Sequence, residues 1–275
     1  MNETEAKIQA GKGILLCLLL YIAFYAIAVS AMHIHGLSGT AWYLFSSAQR
    51  ILFGLFSMWL LVRIFRGESF RSVIHTRGLR DGFRAGAAIL ILMAMMIITI
   101  AFSVKEFKET SVLTLISCLL IQQLSTGFWE ETAFRGFVCE GYWQRKSFTR
   151  RERIIYAAVS FVLFGMIHAV EAESVGFALY RFLTTGAMGF GFAAMYLYSG
   201  CLLAPMLLHF FYDIAANISR FVAEWQDSTF FNVMNDRILP AVYAVIFIAA
   251  IIYLIKEPVY VRNDIVKCDE NKISA

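Results

Sequence analysis

The sequence predicts an all-α fold, a polytopic bundle of about eight transmembrane helices, since about 20 apolar residues in helical form span a bilayer. Three observations carry this. The 275 residues are 59% hydrophobic and 16% charged, against about 45–50% apolar and about 25% charged in an average soluble domain. Long apolar runs recur along the whole chain, separated by short polar segments. Phe is abundant at 25 residues and Pro scarce at 3, a composition suited to long lipid-facing helices.

In chain order the spans are read at 13–33, 42–64, 86–104, 111–143, 154–170, 176–198, 201–221 and 239–256. The first run, Gly13 to Met32, follows Lys12. It exceeds the roughly 7–15 residues of a signal-peptide core, so it is read as an uncleaved first helix. Arg50, inside the second span, is expected to pair with a carbonyl or to snorkel, with substrate contact as the alternative. The fourth span is too long for a simple crossing. Its second half, Ser125 to Trp143, is too polar for lipid and is expected to be surrounded by protein. In the sixth span Gly186, Gly189, Gly191, Ala193 and Ala194 read as close helix packing rather than a ligand site. Cys17, Cys118, Cys139, Cys201 and Cys268 are scattered without a CxxC pair and read as small apolar residues. His33 and His35 form an HxH in a short loop, without further metal-ligand pattern. No internal repeat, low-complexity segment, domain linker or pair of glycine- or proline-broken helices is read.

Lys and Arg in short loops set the orientation. Arg66, Arg71, Arg77, Arg80 and Arg84 follow the second span, and Arg145, Lys146, Arg150, Arg151 and Arg153 follow the fourth. These segments are expected on the cytoplasmic side. The loops at 34–41 and 171–175 lack Lys and Arg and are expected outside, with Lys105 and Lys108 as the one dissenting signal. An even number of spans then places both termini in the cytoplasm, in agreement with Lys7, Lys12, Lys256, Arg262 and Lys267. The basic residues sit between apolar runs, so the formal charge of +4 points to a bilayer and not to nucleic acid.

Ionisable groups inside a membrane are costly and mark functional sites. Here they gather in three spans, as Glu130-Glu131-Thr132-Ala133-Phe134-Arg135, as Phe164 to His168, and as His209 to Asp213. Glu131 and Arg135 are spaced i, i+4 with the acid first, the better order for a pair on one helix. Glu130 is turned about 100° from Glu131 and is left as the unpaired carboxylate, free to act as a base. His209 and Asp213 again share a face, and Phe164 lies beside His168. Counted from the cytoplasmic ends at about 1.5 Å per residue, Glu130 and His168 lie roughly 20 Å deep and His209 roughly 13 Å. The three helices are therefore expected to bring Glu130, His168, His209 and Asp213 to one cavity near mid-membrane.

The order EExxxR, FxxxH and HxxxN/D, each on its own apolar helix, resembles the CPBP (ABI) family of intramembrane endopeptidases, the type II CAAX prenyl endopeptidase-like proteins. The resemblance covers roughly 111–221 and divides the chain into N-terminal helices at 1–110, a catalytic core at 111–221, and a last helix with a cytoplasmic tail at 222–275. It implies a peptide or lipidated protein substrate, Glu130 as the base that activates water with help from His168, and His209 with residue 213 facing the developing oxyanion. Glu131 and Arg135 would support them. Position 213 is Asp, where better-known members carry Asn. An ionised Asp accepts but does not donate hydrogen bonds, so Asp213 is protonated, orients His209, or ligates a metal. A glutamate-type mechanism without cofactor is favoured. Zinc held by Glu130, His168, His209 and Asp213 is the alternative, although no HExxH is present. Two other functions stand as rivals: a non-catalytic scaffold or bacteriocin-immunity-type protein with the same fold, and a transporter, which the absence of repeats and broken helix pairs disfavours. The expected location is a bacterial plasma membrane.

Overall fold

A computed structural model describes residues 3–33, 36–66, 73–139, 149–170, 172–225 and 228–259. Arg71, Arg145, Lys146, Arg262, Lys267, His35, Cys268 and Trp143, which entered the sequence reading, lie outside the described residues, as does residue 171 of the second outer loop. The apolar runs form helices. α1 is Glu3–His33, and α2 is Gly39–Leu60, running on through a π-helical turn at Leu61–Arg66. α3 (Leu79–Ala85) and α4 (Ala87–Ser103) follow, then a short strand β1 (Val104–Phe107). A continuous rod, Val112–Phe137, comprises α5 (Val112–Leu115), a π turn (Ile116–Ile121), α6 (Gln122–Glu131) and a second π turn (Thr132–Phe137). The remainder is α7 (Arg150–Ala169), α8 (Val175–Ser199), α9 (Leu203–Val222), β2 (Ala223–Trp225), α10 (Thr229–Val233) with a π turn at Met234–Ile238, and α11 (Leu239–Ile255).

Local sequence explains the helix ends. Thr149 and Glu152 form a reciprocal capping box, each side chain accepting from the other's backbone N–H at 3.3 Å, which satisfies two of the orphan donors at the start of α7. Ser174 caps α8 with a single bond, its hydroxyl accepting from Phe177 N. Gly200 ends α8 in the left-handed region at φ +71°, where a residue without Cβ is the unstrained choice.

The C-terminal half of α8 is the axis of the bundle, with every residue from Gly186 to Leu197 buried. Small residues let α7 lie against it. A Cβ on Gly189 would meet Phe164 Cβ at 2.8 Å, and one on Gly165 would meet Phe182 O at 2.6 Å. The expected packing role of Gly186 and Gly189 is therefore met at the α7–α8 contact. Two apolar clusters flank the axis. Trp129, Phe134, Phe137 and Phe164 belong to the first, and Ile89, Leu92, Phe192 and Leu208 to the second. The outer faces carry exposed Leu15, Leu19, Ile22, Ile91, Ile97, Leu124, Ile248 and Ile252, a surface made for acyl chains. The chain is an integral membrane protein of all-α type.

Three expectations change. Five helices are long and apolar enough to cross a membrane among the described residues, or six if α3 and α4 form one bent span, so the count of eight is not reached by this measure. α8 and α9 are long enough, at 25 and 20 residues, or about 37 and 30 Å at about 1.5 Å per residue. Their composition falls short because α8 faces protein rather than lipid over half its length, and α9 carries His209, Asp213 and Arg220. Second, a glycine-broken helix pair is present: α3 and α4 meet at 64°. Gly86 makes the bend, where a Cβ would press on Leu208 Cδ2 at 2.5 Å and Met195 Sδ at 2.7 Å. Third, β1 and β2 pair antiparallel, a small ribbon tying the end of α4 to the end of α9. Strands of four and three residues are too short to show a period in the sequence.

The close approach at Gly165 yields a stability prediction. Forcing a side chain into a packed contact costs about 1–3 kcal/mol. We expect Gly165→Ala to lower the thermal midpoint of the detergent-purified protein, and Gly11→Ala, which meets nothing within 4 Å, to leave it unchanged. Equal midpoints for the two variants would contradict the α7–α8 packing.

Candidate active site

α6 and the π turn that follows it bring two adjacent acids and an arginine into the interior. Glu131 and Arg135 are fully buried. Arg135 Nη1 lies 3.0 Å from Glu131 Oε1, the i, i+4 pair read from the sequence. The same oxygen is 2.7 Å from His209 Nδ1, so one carboxylate oxygen joins a cation on its own helix to an imidazole on α9. A buried guanidinium needs more than one partner. Arg135 Nη2 donates to Gly189 O at 3.2 Å, and the group lies 4.6 Å from the ring centre of Phe164 and 5.1 Å from that of Phe192. These two rings come from the two different apolar clusters, so the charged group sits at their seam.

His209 is nearly fully buried, and carboxylates face both of its nitrogens. Nδ1 takes Glu131, while Nε2 lies 3.5 Å from Asp213 Oδ2 and 3.9 Å from Glu130 Oε2. Its ring stacks on Phe192 at 5.0 Å and 21°. With Arg135 beside it, Glu131 accepts, so Nδ1 carries a proton. Nε2 and the two carboxylate oxygens facing it are all acceptors unless one of them is protonated. One further proton on His209, Asp213 or Glu130 would turn these facing acceptors into a donor–acceptor set. Glu130 Oε2 is buried and makes no hydrogen bond among the described residues. It is the acid left without a cation, as the helical phase predicts.

His168 stands apart. Its Nδ1 lies 2.8 Å from Phe164 O, which makes Nδ1 the donor and leaves Nε2 as the acceptor in the neutral ring. Phe164 packs on His168 at 4.5 Å and on His209 at 5.9 Å, so one aromatic ring separates the two histidines. No hydrogen bond or ion pair among the described residues joins His168 to Glu130, His209 or Asp213. The structure brings Glu130, Glu131, Arg135, His209 and Asp213 together and places His168 one ring away. Nor do the described residues contain a group of three or more His, Cys, Asp and Glu arranged to hold a metal ion.

Comparison with known families now bears on this geometry. Residues 112–215 match the family model described as Type II CAAX prenyl endopeptidase Rce1-like. Over this stretch the chain is similar to that family. The match is the CPBP/CAAX likeness that the three motifs carried, and it contains all six residues named from them. α1 to α4 and α11 lie outside it. Neither the curated proteins nor the solved structures gave a match. The family supports a CAAX-protease-like enzyme, embedded in a bilayer and acting on a peptide.

Around the Rce1-like motifs the structure adds three residues that sequence reasoning missed as parts of the site. Gly189 offers its carbonyl to Arg135 and, at 3.2 Å, to Ser160 Oγ. The glycine stripe was visible, but its second use as an acceptor was not. Phe192 covers His209 and Arg135, and nothing in its sequence context sets it apart from other Phe residues. Trp129, fully buried next to Glu130, stacks on Phe24 of α1 at 5.6 Å.

The buried pair generates the second prediction. Removing one partner of such a pair leaves an uncompensated charge and costs about 3–5 kcal/mol. We expect Arg135→Ala to lower both folded yield and thermal midpoint in detergent. Arg84→Ala, which removes an exposed pair with Asp81, should shift the midpoint little. A wild-type midpoint for Arg135→Ala would contradict the buried triad.

Proposed function

We propose that the protein is an intramembrane endopeptidase that hydrolyses a peptide bond in a membrane-associated peptide or lipidated protein, with Glu130 as the base that activates water. The observation that carries this reading is the buried, unpaired Glu130 oxygen 3.9 Å from His209 Nε2. That distance is too long for a direct hydrogen bond and short enough for one water to touch both atoms.

In this mechanism Glu130 takes a proton from water as the oxygen adds to the scissile carbonyl carbon. The C=O π pair moves onto oxygen, and the oxyanion is met by the proton on His209 Nε2. A single preorganised donor of this kind contributes about 2.7–4 kcal/mol. Collapse reforms the carbonyl and breaks the C–N bond while Glu130 returns its proton to the leaving amine. Glu131 holds Nδ1 and so fixes the ring and its tautomer, the part a carboxylate plays for histidine in hydrolases of unrelated fold. Asp213 orients His209 from the other nitrogen, one of the roles left open by its replacing Asn. His168, with its lone pair fixed on Nε2 and one aromatic ring between it and His209, is a second proton acceptor at the edge of the site rather than a direct partner of Glu130. The reaction proceeds without a metal. On this reading the basic segments at 66–84 and 145–153 face the cytoplasm, both termini lie on that side, and the membrane is a bacterial plasma membrane.

The test has two parts. Peptides whose processing disappears when Glu130→Ala replaces the wild type in the native host identify the substrate. In proteoliposomes carrying that substrate, we expect Glu130→Gln to abolish turnover while leaving the thermal midpoint near wild type, because the amide keeps the shape but takes no proton. Turnover should survive strong chelators, and the purified protein should hold no stoichiometric zinc. If instead one zinc accompanies each chain and Asp213→Asn loses both metal and rate together, the metal-free mechanism is wrong. If Glu130→Gln turns over as wild type, Glu130 is not the base.

A further inference from the structure

Hydroxyl side chains inside these helices share a habit. Ser47, Thr99, Ser117, Thr126, Thr132 and Ser199 each donate to the backbone carbonyl four residues earlier on their own helix. That local bond lets a Ser or Thr sit in a helix without an outside partner. Ser160 spends its single donor differently. It is fully buried in α7, and its Oγ donates at 3.2 Å to the Gly189 carbonyl of α8.

The acceptor it reaches is already in use by the site. Arg135 Nη2 donates to the same Gly189 oxygen at 3.2 Å. Two side-chain donors, one from the rod and one from α7, therefore meet on one backbone atom of α8. The turn of α7 from Ser160 to Phe164 lies directly on this glycine. A Cβ at Gly189 would stand 3.1 Å from Ser160 O and 2.8 Å from Phe164 Cβ. The other residues of that turn, Phe161, Val162 and Leu163, are apolar. Apolar packing is non-directional, so it tolerates a small slide or rotation of one helix on another. A hydrogen bond has a preferred length and angle, and it selects one register.

What that register places is Phe164, one turn further along α7. Its ring centre is 4.6 Å from the Arg135 guanidinium. It meets the His209 ring at 5.9 Å, the His168 ring at 4.5 Å and, edge-on, the Phe134 ring at 5.1 Å. His168 Nδ1 is in turn tied to Phe164 O at 2.8 Å, so its ring moves with the same turn. A displacement of α7 at Ser160 thus reaches both histidines through one aromatic side chain. We infer that Ser160 is a positioning residue of the site. Through the Gly189 carbonyl that it shares with Arg135, it fixes the turn of α7 that sets Phe164 against Arg135, His209 and His168. This rests on the reading of that cluster as an acid–base site.

The experiment uses the full-length protein in detergent, with isotope-labelled histidine and the variants Ser160→Ala, Ser160→Thr and Ser160→Val. Imidazole nitrogen resonances are assigned by their loss in His168→Gln and His209→Gln, with His75 as the internal reference. This readout needs no substrate, so it stands apart from the fate of the enzymatic reading. We expect Ser160→Ala to shift the His168 and His209 resonances and leave His75 in place. Thr and Val have nearly one shape, and only Thr keeps the donor. Ser160→Thr should therefore stay near wild type, while Ser160→Val should move with Ser160→Ala. Unmoved His168 and His209 resonances in folded Ser160→Ala, or Thr and Val variants that match each other, would overturn the inference. Where Glu130-dependent turnover is measurable, Ser160→Ala should lower kcat about 5-fold or more and leave KM within about 3-fold. Shifted resonances with unchanged kcat would mean that the bond only braces α7. A rise in KM alone would mean that this turn contacts substrate. Either result would overturn the positioning role. A wild type without Glu130-dependent turnover would sink the endopeptidase reading and leave the resonances to decide whether Ser160 places the two histidines.

Discussion

One oxygen atom, Glu131 Oε1, holds the centre of this protein together. It lies 3.0 Å from Arg135 Nη1 as an ion pair and accepts from His209 Nδ1 at 2.7 Å, joining the rod Val112–Phe137 to α9 where both are dry. Much of the packing follows from the demands of that contact. A fully buried guanidinium needs acceptors, and α8 comes close enough to offer the Gly189 carbonyl to Nη2. That approach requires glycine, because a Cβ there would collide with Phe164. Phe164 and Phe192 then close over the cation from either side, and the two apolar clusters meet along this line. The isolated desolvation cost of such a charge is several kcal/mol. Only an assembly that supplies carboxylate, imidazole, carbonyl and aromatic faces together offsets it.

Adjacent residues can have opposite roles when a helix turns them apart. Glu131 is spent on structure and Glu130 is not. The change of phase leaves Glu130 with a buried oxygen and no cation within the motif. The π turn that begins immediately after Glu131 lets Arg135 sit in a widened turn, a feature that often accompanies functional sites.

The helix-local part of the site was legible in the sequence. The three i, i+4 relations, Glu131 with Arg135, Phe164 with His168, and His209 with Asp213, all appear as contacts, because helical geometry alone determines them. Relations between helices were not legible. That His209 rather than His168 comes within reach of Glu130 depends on the axial register of α7 and α9 against the rod. Depth counting at about 1.5 Å per residue resolves that register only to about a turn. It put Glu130 level with His168 and His209 shallower, whereas packing puts His209 level with the two acids. The bend at Gly86 and the ribbon β1–β2 depend on tertiary contact in the same way. Hydropathy failed for α8 and α9 for a physical reason. A helix enclosed by other helices is solvated by protein and need not be apolar enough for lipid, so its composition understates its place in a bundle.

The interior that the helices enclose imposes a condition on the chemistry. Glu130, Glu131 and Asp213 carry three acidic groups, and the motifs supply Arg135 and an imidazole. On the proposed reading, one proton on the His209–Asp213–Glu130 set lowers that charge and defines the state from which the reaction starts. Each step of the hydrolysis then conserves that state. The proton leaving water stays on Glu130 while the oxyanion carries the matching negative charge, and both disappear together when the amine departs. A site sealed in hydrocarbon has no water to stabilise a change in net charge. Moving one proton among groups already in place avoids that change altogether.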